Sequence, residues 1–376
     1  MKKKIIATAL IFTAISVQAQ VKQPEWLTDV KLSGYGMMQY QASNEDGAKS
    51  NTFNLRIARI SLDGRIANDF YWKFQIQVNG NTTTLGNSPK IVDCFTEWQK
   101  FNFLRIKVGQ FKRAFTFENP MTPIDQGFMS YGEVINNLAG FNDRNGSHSS
   151  NGRDIGVQVQ GDFLKNVRGR NLLHYQVGIY NGQGINVQDV DQQKDIIGGL
   201  WLMPVQGMRI GAFGWTGSYA RKGTSSSEGI TAPILRKLQQ RRYAFSAEYK
   251  TEDWTFRSEY IHSTGYAFKT RYQKEDDASD ITLSSNGDKA QGVYALVIAP
   301  IIKDKLHAKA RYDMYQPTGN ASKQRTQYDA GIDYEFNRNW QINAEYAYIH
   351  DRSLPLTNTS YSPNYSIIDV EVDFKF

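Results

Sequence analysis

Residues 368–376 read Ile-Asp-Val-Glu-Val-Asp-Phe-Lys-Phe and alternate apolar and polar side chains to the end of the chain. Successive side chains of an extended chain point to opposite faces. This stretch therefore has one apolar face and one charged face. The pattern predicts a β-strand that meets an apolar medium on one side and water on the other.

The same alternation recurs along most of the chain. Trp72, Phe74 and Ile76, for example, alternate with Lys73 and Gln75. The polar faces carry several full charges each, which argues against core strands of a soluble sandwich. Bacterial outer-membrane barrels have an even number of strands, each about ten residues long. We count about sixteen such segments, at residues 30–41, 53–63, 69–79, 91–99, 103–111, 153–161, 172–180, 196–203, 207–217, 241–250, 253–263, 290–299, 305–315, 326–336, 339–349 and 365–376.

The links between these segments alternate in length. With a periplasmic N-terminus, every short link falls on the periplasmic side and every long link outside, as in transmembrane barrels. We therefore predict an all-β fold, a 16-stranded antiparallel transmembrane β-barrel that forms a single domain over residues 20–376. The short links are 64–68, 100–102, 162–171, 204–206, 251–252, 300–304 and 337–338. The long links are 41–52, 80–90, 112–152, 181–195, 218–240, 264–289, 316–325 and 350–364.

The N-terminus has the pattern of a secretory signal. Three lysines, Lys2 to Lys4, precede an apolar run at residues 5–17, and Val17-Gln18-Ala19 has the small residues of a cleavage site. We predict a signal peptide at residues 1–19. Its removal lowers the formal net charge from +7 to +4. So small an excess gives little support to nucleic-acid binding.

Composition excludes two further classes of protein. The mean hydropathy is −0.53, and no run approaches the ~20 apolar residues of a spanning helix, which excludes a helical membrane bundle. The one cysteine, Cys94, excludes an intrachain disulfide framework or a cysteine-based zinc site. Aromatic residues nevertheless make up 13% of the chain. Sorted by strand face, several fall on the lipid side, where aromatic girdles form in barrels: Trp72, Trp98, Tyr243, Tyr249, Tyr334, Trp340 and Tyr346.

Three blocks of sequence resemble the phosphate-selective porin O/P family. They are Val-Gly-Gln-Phe-Lys-Arg-Ala-Phe-Thr-Phe-Glu-Asn at 108–119, Arg-Asp-Ile-Gly-Val-Gln-Val-Gln-Gly at 153–161 and Val-Gly-Ile-Tyr-Asn-Gly-Gln-Gly at 177–184, in the order of the family. Ala114 stands where the family usually has proline. The resemblance implies a 16-stranded porin, often trimeric. The arginine ladder and lysine cluster of the founding members have no residue-by-residue match here, so it supports a porin better than it supports phosphate selectivity.

Charges on the inward faces indicate a water-filled channel. Basic residues predominate on the first two-thirds of the barrel and acidic residues on the last three strands, which predicts a transverse field and a weak preference for anions. The acidic residues are Asp329, Asp333, Glu335, Glu345, Asp369, Glu371 and Asp373. The candidate pore-lining or solute-binding residues, some of them in the long link that follows residue 111, are Arg59, Lys73, Arg105, Lys107, Lys112, Arg113, Glu118, Asp125, Arg242, Arg257, Lys309 and Arg311.

The link at residues 112–152 is unusually long for a structureless loop and is therefore expected to be functional. It is the third external link, which in porins of this kind folds inward and narrows the pore. Pro120 and Pro123 limit its flexibility. We predict that it forms the constriction. A surface cap or a trimer contact is the alternative.

An enzyme is not expected. The five histidines are scattered, with no HExxH, nucleophile-elbow or Walker pattern. His148, between Ser147 and Ser149, leaves a phospholipase-like barrel enzyme as an alternative, beside a non-conducting receptor or adhesin. No cofactor and no metal ligand set is predicted. The expected partners are outer-membrane lipid and lipopolysaccharide, small anions or polar solutes, two further copies of the chain in a homotrimer, and the barrel-assembly machinery, which would recognise the terminal strand ending at Phe376.

Overall fold

A computed structural model describes residues 24–79, 89–146, 151–270, 279–353 and 362–376. The predicted signal peptide at 1–19 and His148 lie outside the described residues. No described helix is long and apolar enough to cross a membrane.

The fold is a closed antiparallel barrel of sixteen strands in the described part of the chain, which confirms the predicted fold class. Each strand pairs with its neighbours in sequence, and β1 pairs with β16 to close the sheet. Within the described residues, short helical turns occur at Pro123–Asp125, Ser226–Glu228 and Ala321–Lys323, and an α-helix, α1, at Glu133–Leu138. The strands are β1 Leu27–Ser43, β2 Ser50–Ile66, β3 Phe70–Gln77, β4 Lys90–Phe101, β5 Leu104–Lys112, β6 Arg153–Lys165, β7 Asn171–Tyr180, β8 Asp195–Leu202, β9 Met208–Ser225, β10 Ile230–Thr251, β11 Trp254–Thr264, β12 Lys289–Ile302, β13 Leu306–Gln316, β14 Arg325–Asn337, β15 Trp340–Asp351 and β16 Asn364–Lys375.

The terminal strand closes the barrel through backbone and aromatic contacts. Gly34 and Phe376 exchange two backbone hydrogen bonds of 3.0 Å. The Phe376 ring covers Gly34, where an added Cβ would lie 2.6 Å from the ring, and Phe374 covers Gly36 in the same way. Aromatic cover of a strand glycine is one of the devices that pin the register of a sheet. The alternation that predicted this strand therefore also supplies the residues that hold its register.

One predicted loop is largely strand. Residues 218–240 were expected to be a long external link, but β9 and β10 continue to pair as far as Ser225 and Ile230. The prediction was wrong because both faces of this extension carry polar residues, so the alternation that marks a lipid-facing strand is lost. The cross-strand hydrogen bonds persist regardless of that pattern.

The outer face of the barrel is apolar. Tyr243, Trp340 and Tyr346 are 44%, 47% and 46% exposed at positions where the wall meets lipid. The inner face carries the charges. The average hydropathy of the chain therefore combines two surfaces of opposite character.

Candidate functional site

Between β5 and β6, the described residues 113–146 and 151–152 lie inside the barrel and are called the inner loop below. Helix α1, within this segment, packs against β11, β12 and β13. Pro123 opens a short helical turn, where its fixed φ is compatible with helix. The inner loop therefore lies in the lumen and not at the outer rim of the barrel.

An apolar core holds the inner loop against the wall. Each large apolar side chain that becomes buried contributes ~1.5–3 kcal/mol. The wall supplies Phe213, Trp215 and Tyr294 to this core. The inner loop supplies Phe115, Phe117, Phe128, Val134, Ile135, Leu138 and Phe141.

Buried charged groups of β10 and β11 fasten the loop further. Arg242 pairs with Asp143 at 2.5 Å, and Arg257 pairs with Glu118 at 3.2 Å. The Glu259 carboxylate accepts hydrogen bonds from two backbone N–H groups of the loop, at 2.9 and 2.8 Å. These contacts satisfy backbone groups of an irregular segment that water cannot reach.

A second group of anchors comes from β13 and β15. Lys309 donates to the carbonyl of Gly127 at 3.0 Å, and Arg311 to the carbonyl of Ser130 at 2.6 Å. Glu345 of β15 accepts from the backbone N–H of Met129 at 2.9 Å. The loop is therefore tied to the wall along most of its length.

Replacing Asp143 with alanine is expected to loosen this attachment. Both partners are almost fully buried, so Asp143→Ala leaves the Arg242 charge uncompensated, and removing one partner of such a pair costs about 3 kcal/mol. The free energy of unfolding of the folded barrel in denaturant measures the loss. Asp125→Ala is the matched control, since Asp125 is 57% exposed and its 3.6 Å pair with Lys375 contributes less than ~1 kcal/mol. Equal losses for the two variants would contradict the assignment of Asp143 as an anchor.

A basic cavity of about 220 Å³ lies between the inner loop and strands β2 to β7. Asp93 is the one acidic residue among its described lining residues, and it pairs with Arg153 at 2.5 Å and with Lys73 at 3.4 Å. The remaining positive charge attracts anions into the cavity. The basic residues that line it are Arg59, Lys73, Lys107, Lys112, Arg113 and Arg153.

An acidic cavity of about 310 Å³ lies between the inner loop and β13 to β16, at the end of the barrel that has the short links. Its described lining contains no lysine or arginine. The one histidine is His307, whose Nδ1 lies 2.8 Å from Asp333. The acidic residues are Glu252, Asp253, Asp304, Asp333, Glu335, Glu371 and Asp373.

An outer cavity of about 570 Å³ adjoins the same wall nearer the long links. Arg56 and Arg325 face four carboxylates there, and side-chain amides fill much of the remaining lining. Tyr131 of the inner loop lies in the lining and stacks near Phe141, with ring centroids 4.2 Å apart. Burial raises the pKa of the Tyr131 phenol, so it stays neutral and donates to the Met121 carbonyl at 3.3 Å.

Nine of the twelve predicted pore-lining residues fall into two groups. Arg59, Lys73, Lys107, Lys112 and Arg113 line the basic cavity. Arg242, Arg257, Lys309 and Arg311 face inward as expected, but the loop covers them and their charges serve as anchors. These four were predicted to meet open water because strand parity gives the face of a side chain and not what lies over it.

Three further predicted residues lie elsewhere in the lumen. Arg105 forms an ion pair of 2.6 Å with Asp162 of β6, and Glu118 forms an ion pair with Arg257. Asp125 is exposed beside Lys375. The acidic wall expected on the last three strands is partly neutralised, because Glu345 pairs with Lys309, Asp329 with Arg311 and Glu371 with Arg56.

Arg56 and Arg153 also line these cavities but were not among the predicted pore-lining residues. A β-bulge near Met37 shifts the register between β1 and β2, so Arg56 faces the lumen together with Arg59 although the two differ in parity. Arg153 stands in the second family block, and its position at the start of β6 was the available signal.

A closed 16-stranded barrel with an inward-folded third external link defines a porin-type outer-membrane protein. The family model described as phosphate-selective porin O and P matches residues 30–177, which confirms the predicted resemblance over that part of the chain. The chain is thus similar to outer-membrane porins in its fold and, over residues 30–177, in its sequence.

Solved structures show the same fold at low sequence identity. OmpT of Vibrio cholerae in its trimer form is 15% identical, covers 93% of this chain and 99% of its own, and has a TM-score of 0.60. The outer-membrane channel DcaP of Acinetobacter baumannii is 13% identical over 93% and 97%, with a TM-score of 0.57. OprB of Pseudomonas putida is 10% identical over 94% and 95%, with a TM-score of 0.59. No curated protein matches the sequence significantly.

Proposed function

We propose that small ions and polar solutes cross the barrel on two sides of the inner loop, through a basic passage along β2 to β7 and an acidic passage along β13 to β16. The observation that carries this proposal is the division of charge between the basic and acidic cavities. Two passages of opposite sign in one barrel give a channel of weak overall selectivity. Anions have a small advantage, because ion pairs with Lys309, Arg311 and Arg56 neutralise part of the acidic wall.

The basic passage is suited to small oxyanions such as phosphate. Lys73 and Lys107 are partly exposed, with 26% and 18% of their side chains accessible, and offer ammonium donors to a passing anion. Each is already paired with a carboxylate, Asp93 or Glu97, at 3.4 and 3.6 Å. Such pairing supports brief contacts with anions and disfavours tight binding, which suits a channel that must release what it admits.

Conductance of the purified protein in a planar bilayer tests this proposal. We expect stable open channels in potassium chloride and a reversal potential that shows a modest preference for chloride. Tight anion selectivity, or block of chloride current by micromolar phosphate, would contradict a weakly selective channel. A barrel that inserts without conducting would instead favour a receptor, adhesin or barrel enzyme. That the chain has no enzymatic activity stays a prediction.

The assembly of the protein is proposed by analogy and from its sequence. A homotrimer is consistent with the trimer form of the Vibrio cholerae structure. We propose that outer-membrane lipid and lipopolysaccharide surround it. We further propose that residues 1–19 direct export and that the barrel-assembly machinery recognises the terminal strand through Phe376. Migration on a gel before and after heating reports both the folded barrel and its oligomer.

A further inference from the structure

Two histidine–aspartate pairs face the lumen from different walls. His174 Nδ1 lies 2.8 Å from Asp162, and His307 Nδ1 lies 2.8 Å from Asp333. The pairs differ in their third member. Arg105 completes the first at 2.6 Å from Asp162 and balances its charge. Glu335, a second carboxylate, completes the other.

The second cluster has the geometry of a metal site. His307 and Asp333 are directly opposite each other on β13 and β14, and Glu335 lies two residues further along β14, on the same face. One ligand atom from each of the three lies within 4.8 Å of the other two. Bonds of ~2.0–2.2 Å to one ion place its ligand atoms roughly 3–4 Å apart, so small side-chain movements would bring all three into contact with it.

Four carboxylates in the acidic cavity have no ion pair with a cation in the described part of the chain. Among the described residues, no lysine or arginine lies within 4.0 Å of the carboxylates of Asp253, Asp304, Glu335 or Asp373. Confining several carboxylates together costs free energy unless a cation joins them.

Asp373 gives a further indication of unsatisfied negative charge in the acidic cavity. It is 1% exposed and lines the same cavity. Its Oδ2 accepts from Gln341 and Asn343 at 2.8 and 2.9 Å, while Oδ1 has no hydrogen-bond partner. A buried carboxylate oxygen without a donor is costly, and a nearby cation or its bound water would satisfy it.

We propose that His307, Asp333 and Glu335 bind a divalent transition-metal ion at the short-link end of the acidic passage. One imidazole nitrogen and two carboxylate oxygens suit Zn²⁺ better than Mg²⁺, which prefers oxygen ligands and keeps its waters. Three protein ligands leave at least one position for water. The acidic cavity supplies the entry path.

Isothermal titration of Zn²⁺ into the folded, detergent-solubilised full chain tests the site. We expect one saturable Zn²⁺ per chain. His307→Gln is expected to weaken binding at least ~10-fold, on the scale of losses at metal sites. Glu335→Gln, at a partly exposed position, is a second variant in case the first fails to fold, and it is expected to weaken binding as well.

His174→Gln is the matched control, since it removes a histidine with the same aspartate contact from a cluster that Arg105 completes. Its Zn²⁺ affinity should equal that of the wild type. The proposal is overturned if the wild type binds no Zn²⁺, if His307→Gln and Glu335→Gln leave the affinity unchanged, or if His174→Gln weakens it equally. Mg²⁺ binding as tight as Zn²⁺ binding would also overturn the proposal, because the negative charge of the acidic cavity alone would then account for the result.

Discussion

Single-channel conductance should rise about twofold or more when residues 125–145 are replaced by a short Gly-Ser linker, because a 16-stranded barrel without an internal segment leaves a wide aqueous channel. The deleted stretch contains α1 and the apolar residues Phe128 and Phe141, which pack inside the lumen. Its removal also deprives Arg242 and Arg311 of loop partners. We therefore expect the barrel to unfold at a lower temperature while conducting more current. Both quantities are measured on the same purified protein.

Trimming the tip of the β9–β10 hairpin provides the control for this deletion. Ser226–Glu228 form an exposed turn beyond the wall. Shortening this turn should leave conductance unchanged. An inner-loop deletion that folds and conducts like the wild type would show that the loop does not narrow the pore.

Replacing Lys73 and Lys107 with glutamine should lower the chloride-to-potassium permeability ratio severalfold and make the channel prefer cations. The two lysines line the basic cavity, and their removal leaves the acidic passage as the dominant field. The wall should tolerate the change. Asp93 keeps Arg153 at 2.5 Å, and Glu97 keeps donors from Gln99 and Gln160 at 3.1 and 2.5 Å.

The control variant combines Lys100→Gln with Lys165→Gln, which removes the same total charge from β4 and β6. Both lysines are exposed at the short-link ends of β4 and β6, outside the basic cavity. Reversal potentials in a potassium chloride gradient should match those of the wild type for this control. A shift as large as that of the Lys73 and Lys107 variant would mean that overall charge, and not the basic passage, sets selectivity.

The strands could be predicted because lipid and water impose opposite demands on alternate residues. Segment 365–376 was located to within a residue of the observed β16, Asn364–Lys375. The same signal failed over 218–240, where the hairpin continues with polar residues on both faces. It also failed at Arg56, where a bulge breaks the parity. Alternation therefore reports the medium around a strand and not hydrogen bonding itself.

The pairing of charges could not be predicted in the same way. Arg257 meets Glu118, 139 residues away, and Arg242 meets Asp143, 99 residues away, because the inner loop returns to the opposite wall. His307 and Asp333 have no metal-ligand spacing in sequence, and only the β13–β14 register brings them together. Long-range contacts of this kind depend on where a loop lies, which strand periodicity does not encode.

The sequence by itself determined a 16-stranded barrel and the face on which each regular strand residue lies, because period-two alternation reflects contact with lipid or water at every position. The tertiary structure alone decided which inward charges remain available to solutes. Lys73 and Lys107 line a cavity, whereas Arg242 and Arg257 are covered by the inner loop. The physical reason is that a side-chain charge can contact a solute only where water reaches it, and that a close partner of opposite sign cancels much of its field; the path of the inner loop decides both.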